Sequence, residues 1–349
     1  MRKTSLAITL VLLIGLLVPG CASKSLDCTR PEVFCVGLVT EVGRRDDRGY
    51  NQAAWEGIQQ AKAGGVVNSI ASIETVDARD YEANISVFAK AGYDAIVTVG
   101  TAASDATIAA AGQYPDIYII GVDQRQPEGQ VSLPNLAWLV FPEDQIGYLA
   151  GALAASMTQS GQVGAVCGSD AWLPMQGYCE GFRLGAAYIN PDVNVTVVYH
   201  NEVGLDQTFS DPEWGAKTAD TLIDSGVDVI FGVGGTTGTN ALVAAAERGG
   251  YAIGADIDQY NVLPVAAPRL LTSVLKLITP GVSDLLRVTK DAQARLSAFP
   301  AGDYLGQVGL AQYHELGTSI PDEIKTRLTE LNQALLAGDV QTGVSPVSP

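Results

Sequence analysis

Charge is scarce in this sequence, and positive charge especially so. Asp, Glu, Lys and Arg together make up 17% of its 349 residues, and only 21 of them are basic against 38 acidic, for a formal net charge of −17. Such a chain cannot assemble the positive surface that a phosphate backbone needs, so no nucleic-acid partner is expected. Its acidity serves solubility instead. Histidine is nearly absent, with His200 and His314 alone, and no two cysteines stand in C-x-x-C spacing, which argues against a zinc site or any other metal. Nucleophilic catalysis lacks its ordinary parts, because no nucleophile stands with a plausible histidine base. The paired Asp46-Asp47 has no further aspartates nearby to hold a catalytic metal. The glycine-rich Gly232 to Gly238 has threonine at position 237, where G-x-G-x-x-G requires glycine, and no lysine follows to complete a phosphate loop. Neither an enzyme nor a cofactor is expected.

What the chain does have is apolar mass. Hydrophobic residues reach 47% and glycines number 38, which rules out disorder over most of the length and suits buried parallel sheets. At this length two domains are more plausible than one.

The N-terminus carries an export address. Arg2 and Lys3 precede an apolar run, Leu6 to Val18, that is too short to span a bilayer as a helix of about 20 residues. Val18, Pro19 and Gly20 then lead into Cys21 in a pattern similar to the lipobox of bacterial lipoproteins. Residues 1–20 are thus expected to be a cleaved signal, with Cys21 lipidated and residues 21–33 a tether. The competing reading is ordinary cleavage near Ala22 with Cys21 lost. Of the remaining cysteines, the short separations favour Cys28 with Cys35 and Cys167 with Cys179 among three possible pairings. Four buried thiols are the alternative.

From Val33 onward, apolar runs of strand length alternate with helical patterns. The runs are Phe34 to Thr40, Ser69 to Val76, Ala95 to Val99, Ile117 to Val122, Gln162 to Cys167, Val193 to Tyr199, Val227 to Gly232, Tyr251 to Ala255 and Leu270 to Leu275. That order predicts an α/β protein of two parallel sheets, each of five or so strands flanked by helices. Crossings between two lobes are expected near Trp138 to Asp144, Leu275 to Lys276 and Gly306 to Leu310. One lobe would comprise residues 34–138 and 276–305, the other 139–275 and 306–340, and residues 341–349 would form a disordered tail.

In open α/β sheets, ligands sit beyond the carboxyl ends of the strands. The segments there gather carboxylates, amides and aromatics: Gly43 to Gln52, Gly100 to Asp105, Asp123-Gln124, Gly232 to Gly238 and Asp256 to Tyr260. Such a rim suits a neutral, hydroxyl-rich and partly flat small molecule, with carboxylates holding hydroxyls and aromatic rings stacking on a base. A sugar, riboflavin or another ring compound fits the same description.

Particular motifs then narrow the field. Val36-Gly37-Leu38-Val39-Thr40 with Asp47, Tyr50-Asn51-Gln52 and Trp55-Glu56-Gly57 resembles the opening of the basic membrane protein family, lipoprotein receptors of nucleoside ABC importers. The resemblance continues through Phe141, Gly147-Tyr148-Leu149-Ala150-Gly151, Gly181-Phe182, Asn190-Pro191-Asp192 and Phe209-Ser210-Asp211-Pro212. It extends through Gly234-Gly235-Thr236, Gly254 with Asp256, Asp258-Gln259, and Thr272-Ser273 with Lys276. It implies a two-lobed periplasmic-binding-protein fold of the first type, with a purine nucleoside between the lobes, an ABC permease as partner and membrane attachment through lipid. Position by position, it implies that Tyr50 and Phe209 stack on the base. Asp47 and Asn51 match polar positions near the base, while Asp105, Gly234, Asp256 and Lys276 match the ribose contacts. The chain departs from the family's usual opening, which has paired glycines and Ser-Phe before the Asn-Gln; here stand Arg44, Arg45, Gly49 and Tyr50. A surface sensor using the same cleft without transport fits the same residues.

Overall fold

In the computed structural model, residues 27–344 are described, apart from 128, 205, 206 and 296. The expected signal, Cys21 and the last five residues lie outside the described residues. The chain opens on β1 (Cys35–Val42), whose first six residues are all buried, so it reads as an unbroken apolar run rather than an alternation. There follow α1 (Tyr50–Ala63), β2 (Ser69–Thr75), α2 (Tyr81–Lys90), β3 (Ala95–Val99), α3 (Ser104–Gln113), β4 (Tyr118–Val122) and β5 (Leu136–Val140). Beyond Pro142 come α4 (Glu143–Met157), β6 (Gln162–Cys167), α5 (Leu173–Ile189), β7 (Asn194–Tyr199), α6 (Pro212–Asp224), β8 (Val229–Gly232), α7 (Gly235–Glu247), β9 (Tyr251–Asp256) and β10 (Leu270–Lys276). The chain finishes with α8 (Ile278–Gln293), β11 (Gly302–Leu305), β12 (Val308–Leu310) and α9 (Asp322–Ala337).

These strands form two six-stranded sheets with matching orders, β2-β1-β3-β4-β5-β11 and β7-β6-β8-β9-β10-β12. Every pairing is parallel except β10 with β12. Each sheet carries an apolar core on either face. In the first lobe, for example, Ile58, Leu139 and Leu286 pack on one side and Ile85, Ile119 and Trp138 on the other.

Nine runs were expected and twelve strands are found among the described residues. Of the three additions, β5 lies where only a crossing was expected, while β11 and β12 are four and three residues long, too brief to show a period in sequence. The first lobe boundary also moves: β5 stays in the first sheet through Val140, two residues past the expected edge at 138. Lys276, placed in the first lobe from sequence, belongs to the second sheet, where it pairs with Val308. The tail does not begin loose at 341. Thr342 is buried and its Oγ1 donates to Asp144 Oδ2 at 2.5 Å.

Two disulfides join Cys28 to Cys35 and Cys167 to Cys179. The second ties the end of β6 to α5, one residue from Tyr178 and one from Gly168. Among the described residues, no helix is long and apolar enough to cross a membrane.

The second lobe rests on an unusually close helix pair. Glycines four apart on α4 (Gly147, Gly151) and on α5 (Gly181, Gly185) bring the two backbones together. A Cβ at Gly147 would stand 1.9 Å from the Tyr178 carbonyl oxygen, and one at Gly151 1.9 Å from that of Phe182. No side chain fits there without moving a helix. Gly151→Val should therefore cost at least about 3 kcal/mol, the upper end for overpacking a core, read as a lowered urea midpoint with an unchanged slope.

Candidate functional site

Because the two sheets have the same strand order, their carboxyl ends present equivalent positions to the space between the lobes. The fourth strand in each order runs into an aspartate with left-handed backbone, Asp123 immediately after β4 at φ 56° and Asp256 as the last residue of β9 at φ 72°. Aspartate tolerates this region better than most residues, and the turn aims each carboxylate off its strand end. Both line a cavity of about 460 Å³ between the lobes, a size usual for small-molecule sites.

Lys276, the last residue of β10, is the centre of this cavity's electrostatics. Its side chain is only 2% exposed, and Nζ lies 2.7 Å from Asp123 Oδ1, 3.4 Å from Glu143 Oε1 and 3.9 Å from Asp256 Oδ1. The rings of Tyr178, Tyr50 and Phe141 stand 5.5, 5.8 and 5.8 Å from Nζ. Burial alone would lower the ammonium's pKa, but Asp123, Asp256 and Glu143 outweigh it and raise the value above normal, so the lysine stays charged.

The acids around it are poised differently. Burial lifts Asp256 above the ordinary carboxylate value, and Lys276 and the Tyr178 hydroxyl, which donates to Asp256 Oδ1, offset only part of that. Glu41, at the end of β1, is raised by burial and then by the charges of Asp123 and Asp47. The Tyr50 and Tyr178 phenols are pushed well up, mainly by burial and then by nearby carboxylates, and remain donors.

Of the residues singled out from sequence, Asp47, Tyr50, Phe209, Gly234, Asp256 and Lys276 line the cavity. Tyr50 opens α1 in the first lobe, whereas Phe209 comes from the loop after β7 in the second. Phe209 meets Trp172 edge-on at 5.3 Å, and its carbonyl accepts from Thr236 N at 2.9 Å. Gly235, at φ 59°, allows that contact, since a Cβ there would come within 2.4 Å of the Phe209 oxygen. Asp47 also caps the first turn of α1, with Oδ1 accepting from Gly49 N and Gln52 N and Oδ2 from Asn51 N.

Two of the expected residues, Asn51 and Asp105, are not in the cavity lining. Asn51 is buried behind the wall, where Oδ1 accepts from Glu41 N at 2.8 Å and Nδ2 donates to Arg44 O at 3.2 Å; it shapes the loop and does not face the cavity. Asp105 sits exposed in the first turn of α3, outside the lining. Sequence reading passed over Glu41, Asp123 and Tyr178 as contacts. Glu41 and Asp123 follow strands located from sequence, the same signal that picked out Asp256. Tyr178 lies inside a helix and had no such marker.

A family model described as ABC transporter substrate-binding protein PnrA-like matches residues 34–295. Among curated relatives, the chain is 27% identical to the CD4+ T-cell-stimulating antigen of Listeria monocytogenes, over 99% of each sequence. It is 26% identical to the ABC transporter nucleoside-binding protein BmpA of Lactococcus lactis, covering 86% of this chain and 88% of that one. Among solved structures, an ABC transporter solute-binding protein from Conexibacter woesei superposes with a TM-score of 0.69 at 21% identity, covering 88% of this chain and 98% of that one. An arabinose-binding protein from Geobacillus stearothermophilus does so at 0.63 and 15%, covering 84% and 99%. These two show the fold alone.

The raised Asp256 has a signed consequence for stability. Its folded pKa exceeds its unfolded one, so its favourable contribution is full below the ordinary value of 3.8 and is lost as pH rises through the folded value. The stability of Asp256→Asn relative to the native chain should therefore climb with pH. Urea unfolding of both proteins at several values between about pH 4 and 7 checks this.

Proposed function

The chain belongs to the Bmp family of PnrA-like ABC transporter substrate-binding proteins, and we propose that the solute it captures is a purine nucleoside. It is a solute-binding protein rather than an enzyme, and it works between a small-molecule ligand and a transporter. The carrying observation is that one cavity collects aromatic rings from both lobes beside a charged lysine and its strand-end aspartates.

Each part suits a portion of such a ligand. Tyr50 and Phe209 offer π faces for a base, and Trp172 backs Phe209. Asp256, Lys276 and the backbone at Gly234 supply acceptors and donors for ribose hydroxyls, with Asp123 beside them. Glu41 and Asp47 give the base edge acceptor oxygens, which suit ring N–H and exocyclic amino groups. With Glu41, Asp47, Asp123 and Asp256 lining the cavity against Lys276, the one cation among the described lining residues, a phosphorylated ligand meets repulsion. The name of the Lactococcus lactis relative, a nucleoside-binding protein, supports the same reading. Closure of the lobes about their three crossings would seal the ligand in. Cys21, in its lipobox-like setting, would carry the acyl groups that hold the mature chain at the outer face of the cell membrane.

Calorimetry with guanosine, inosine, adenosine, ribose and riboflavin tests the ligand. Binding of at least one purine nucleoside with no response to ribose is expected; tight ribose or riboflavin binding without a nucleoside response overturns the reading. Tyr50→Ala should weaken nucleoside binding by about 1–3 kcal/mol, the worth of a stacked base. For the anchor, Cys21→Ser should abolish incorporation of labelled palmitate and release the protein from membranes, and retention of label would refute it.

A further inference from the structure

Lys276 is gripped from two directions, and only one of them lines the cavity. Asp123 and Arg125 belong to the same loop of the first lobe, just after β4. Asp123 pairs with Lys276, the end of a second-lobe strand, while Arg125 pairs with Glu143, the first residue of second-lobe helix α4. Glu143 Oε1 in turn lies 3.4 Å from Lys276 Nζ. Arg125 Nη2 also donates to the Phe141 carbonyl at 3.1 Å, on the first crossing. The four charges alternate along one circuit of three contacts, Asp123, Lys276, Glu143, Arg125, whose two ends lie on the same loop.

This circuit spans two of the three crossings. Glu143 follows the β5-to-α4 passage and Lys276 precedes the β10-to-α8 passage. Glu143 is nearly enclosed, with 7% of its side chain exposed, while Arg125 retains 44%. Neither lines the ligand cavity. A buried carboxylate without a partner is costly, and Arg125 supplies one for Glu143 on the side away from the lysine. Glu143 then holds the ammonium on a line between the lobes, where Asp123 meets it from the front.

We propose that Arg125 and Glu143 are positioning residues, a hinge-side clasp that fixes both the aim of Lys276 into the cleft and the separation of the lobes before ligand arrives. The pair sets affinity without touching the ligand. Only the affinity arm of the test rests on the nucleoside reading above; the lobe separation is measured on the ligand-free protein.

The test uses the mature chain with spin-labelled noncanonical residues at exposed positions 87 and 188, one in each lobe, so that the native disulfides are left alone. In the ligand-free state, Arg125→Met should broaden the label distance distribution and Arg125→Lys should restore most of the native profile. Calorimetry with inosine should show about a tenfold loss for Arg125→Met, recovered largely by Arg125→Lys. Should Arg125→Met fail to fold, Glu143→Gln is measured in the same way and is expected to broaden the distribution too. A native distance distribution in Arg125→Met, or Arg125→Lys as damaging as Arg125→Met, overturns the proposal. If the native chain does not bind inosine, the nucleoside reading fails on its own, and the distance measurement still decides the clasp.

Discussion

A single buried ammonium organises the space between the lobes. Lys276 carries its charge at 2% exposure because carboxylates from both halves converge on it, and those carboxylates are tolerable there because the lysine is present. Each side of that arrangement is unfavourable alone: a lone buried ammonium would shed its proton, and uncompensated acids would repel one another and take theirs up. Satisfied together, they create a polar, pre-oriented surface inside an otherwise apolar α/β scaffold. The aromatic rings around Nζ complete it by excluding water while still favouring a cation.

The matching strand orders explain how two lobes produce one site. Asp123 and Asp256 occupy equivalent ends of equivalent strands, so the fold itself brings a pair of acids face to face. The symmetry breaks at the neighbouring strand. The fifth strand of the first sheet ends in Val140, and that of the second ends in Lys276. This one difference gives the cleft a cationic side and hence a direction.

The sequence disclosed the scaffold well and the site in part. Long buried strands such as β1 and β6 announce themselves as apolar runs, and their alternation with helices permits little besides parallel sheets. The short return strands β11 and β12 stayed invisible, since three or four residues carry no period and their pairing is decided by where the crossings land. Residues at strand ends were legible because topology points them into the space between the lobes, which is why Asp256 stood out, whereas Lys276 was marked by the family resemblance. Asn51 shows the limit of that logic. It is a polar residue in the right loop, yet two backbone groups needed its amide more than a ligand did. Tyr178 shows the converse, a helical tyrosine that reads as ordinary core until α5 is seen to lie against the end of β9.

The contact between α4 and α5 gives the second lobe a mechanical character. With main chain against main chain at Gly147 and Gly151, the two helices have no interposed side chains whose rotamers could take up a shift. Glu143 begins one helix and Tyr178 lies in the second turn of the other, so the acid behind the lysine and the phenol beside Asp256 ride on one stiff girder. Any change in the width of the gap must be absorbed by the connecting segments, which bend as a joint between two bodies that keep their shape.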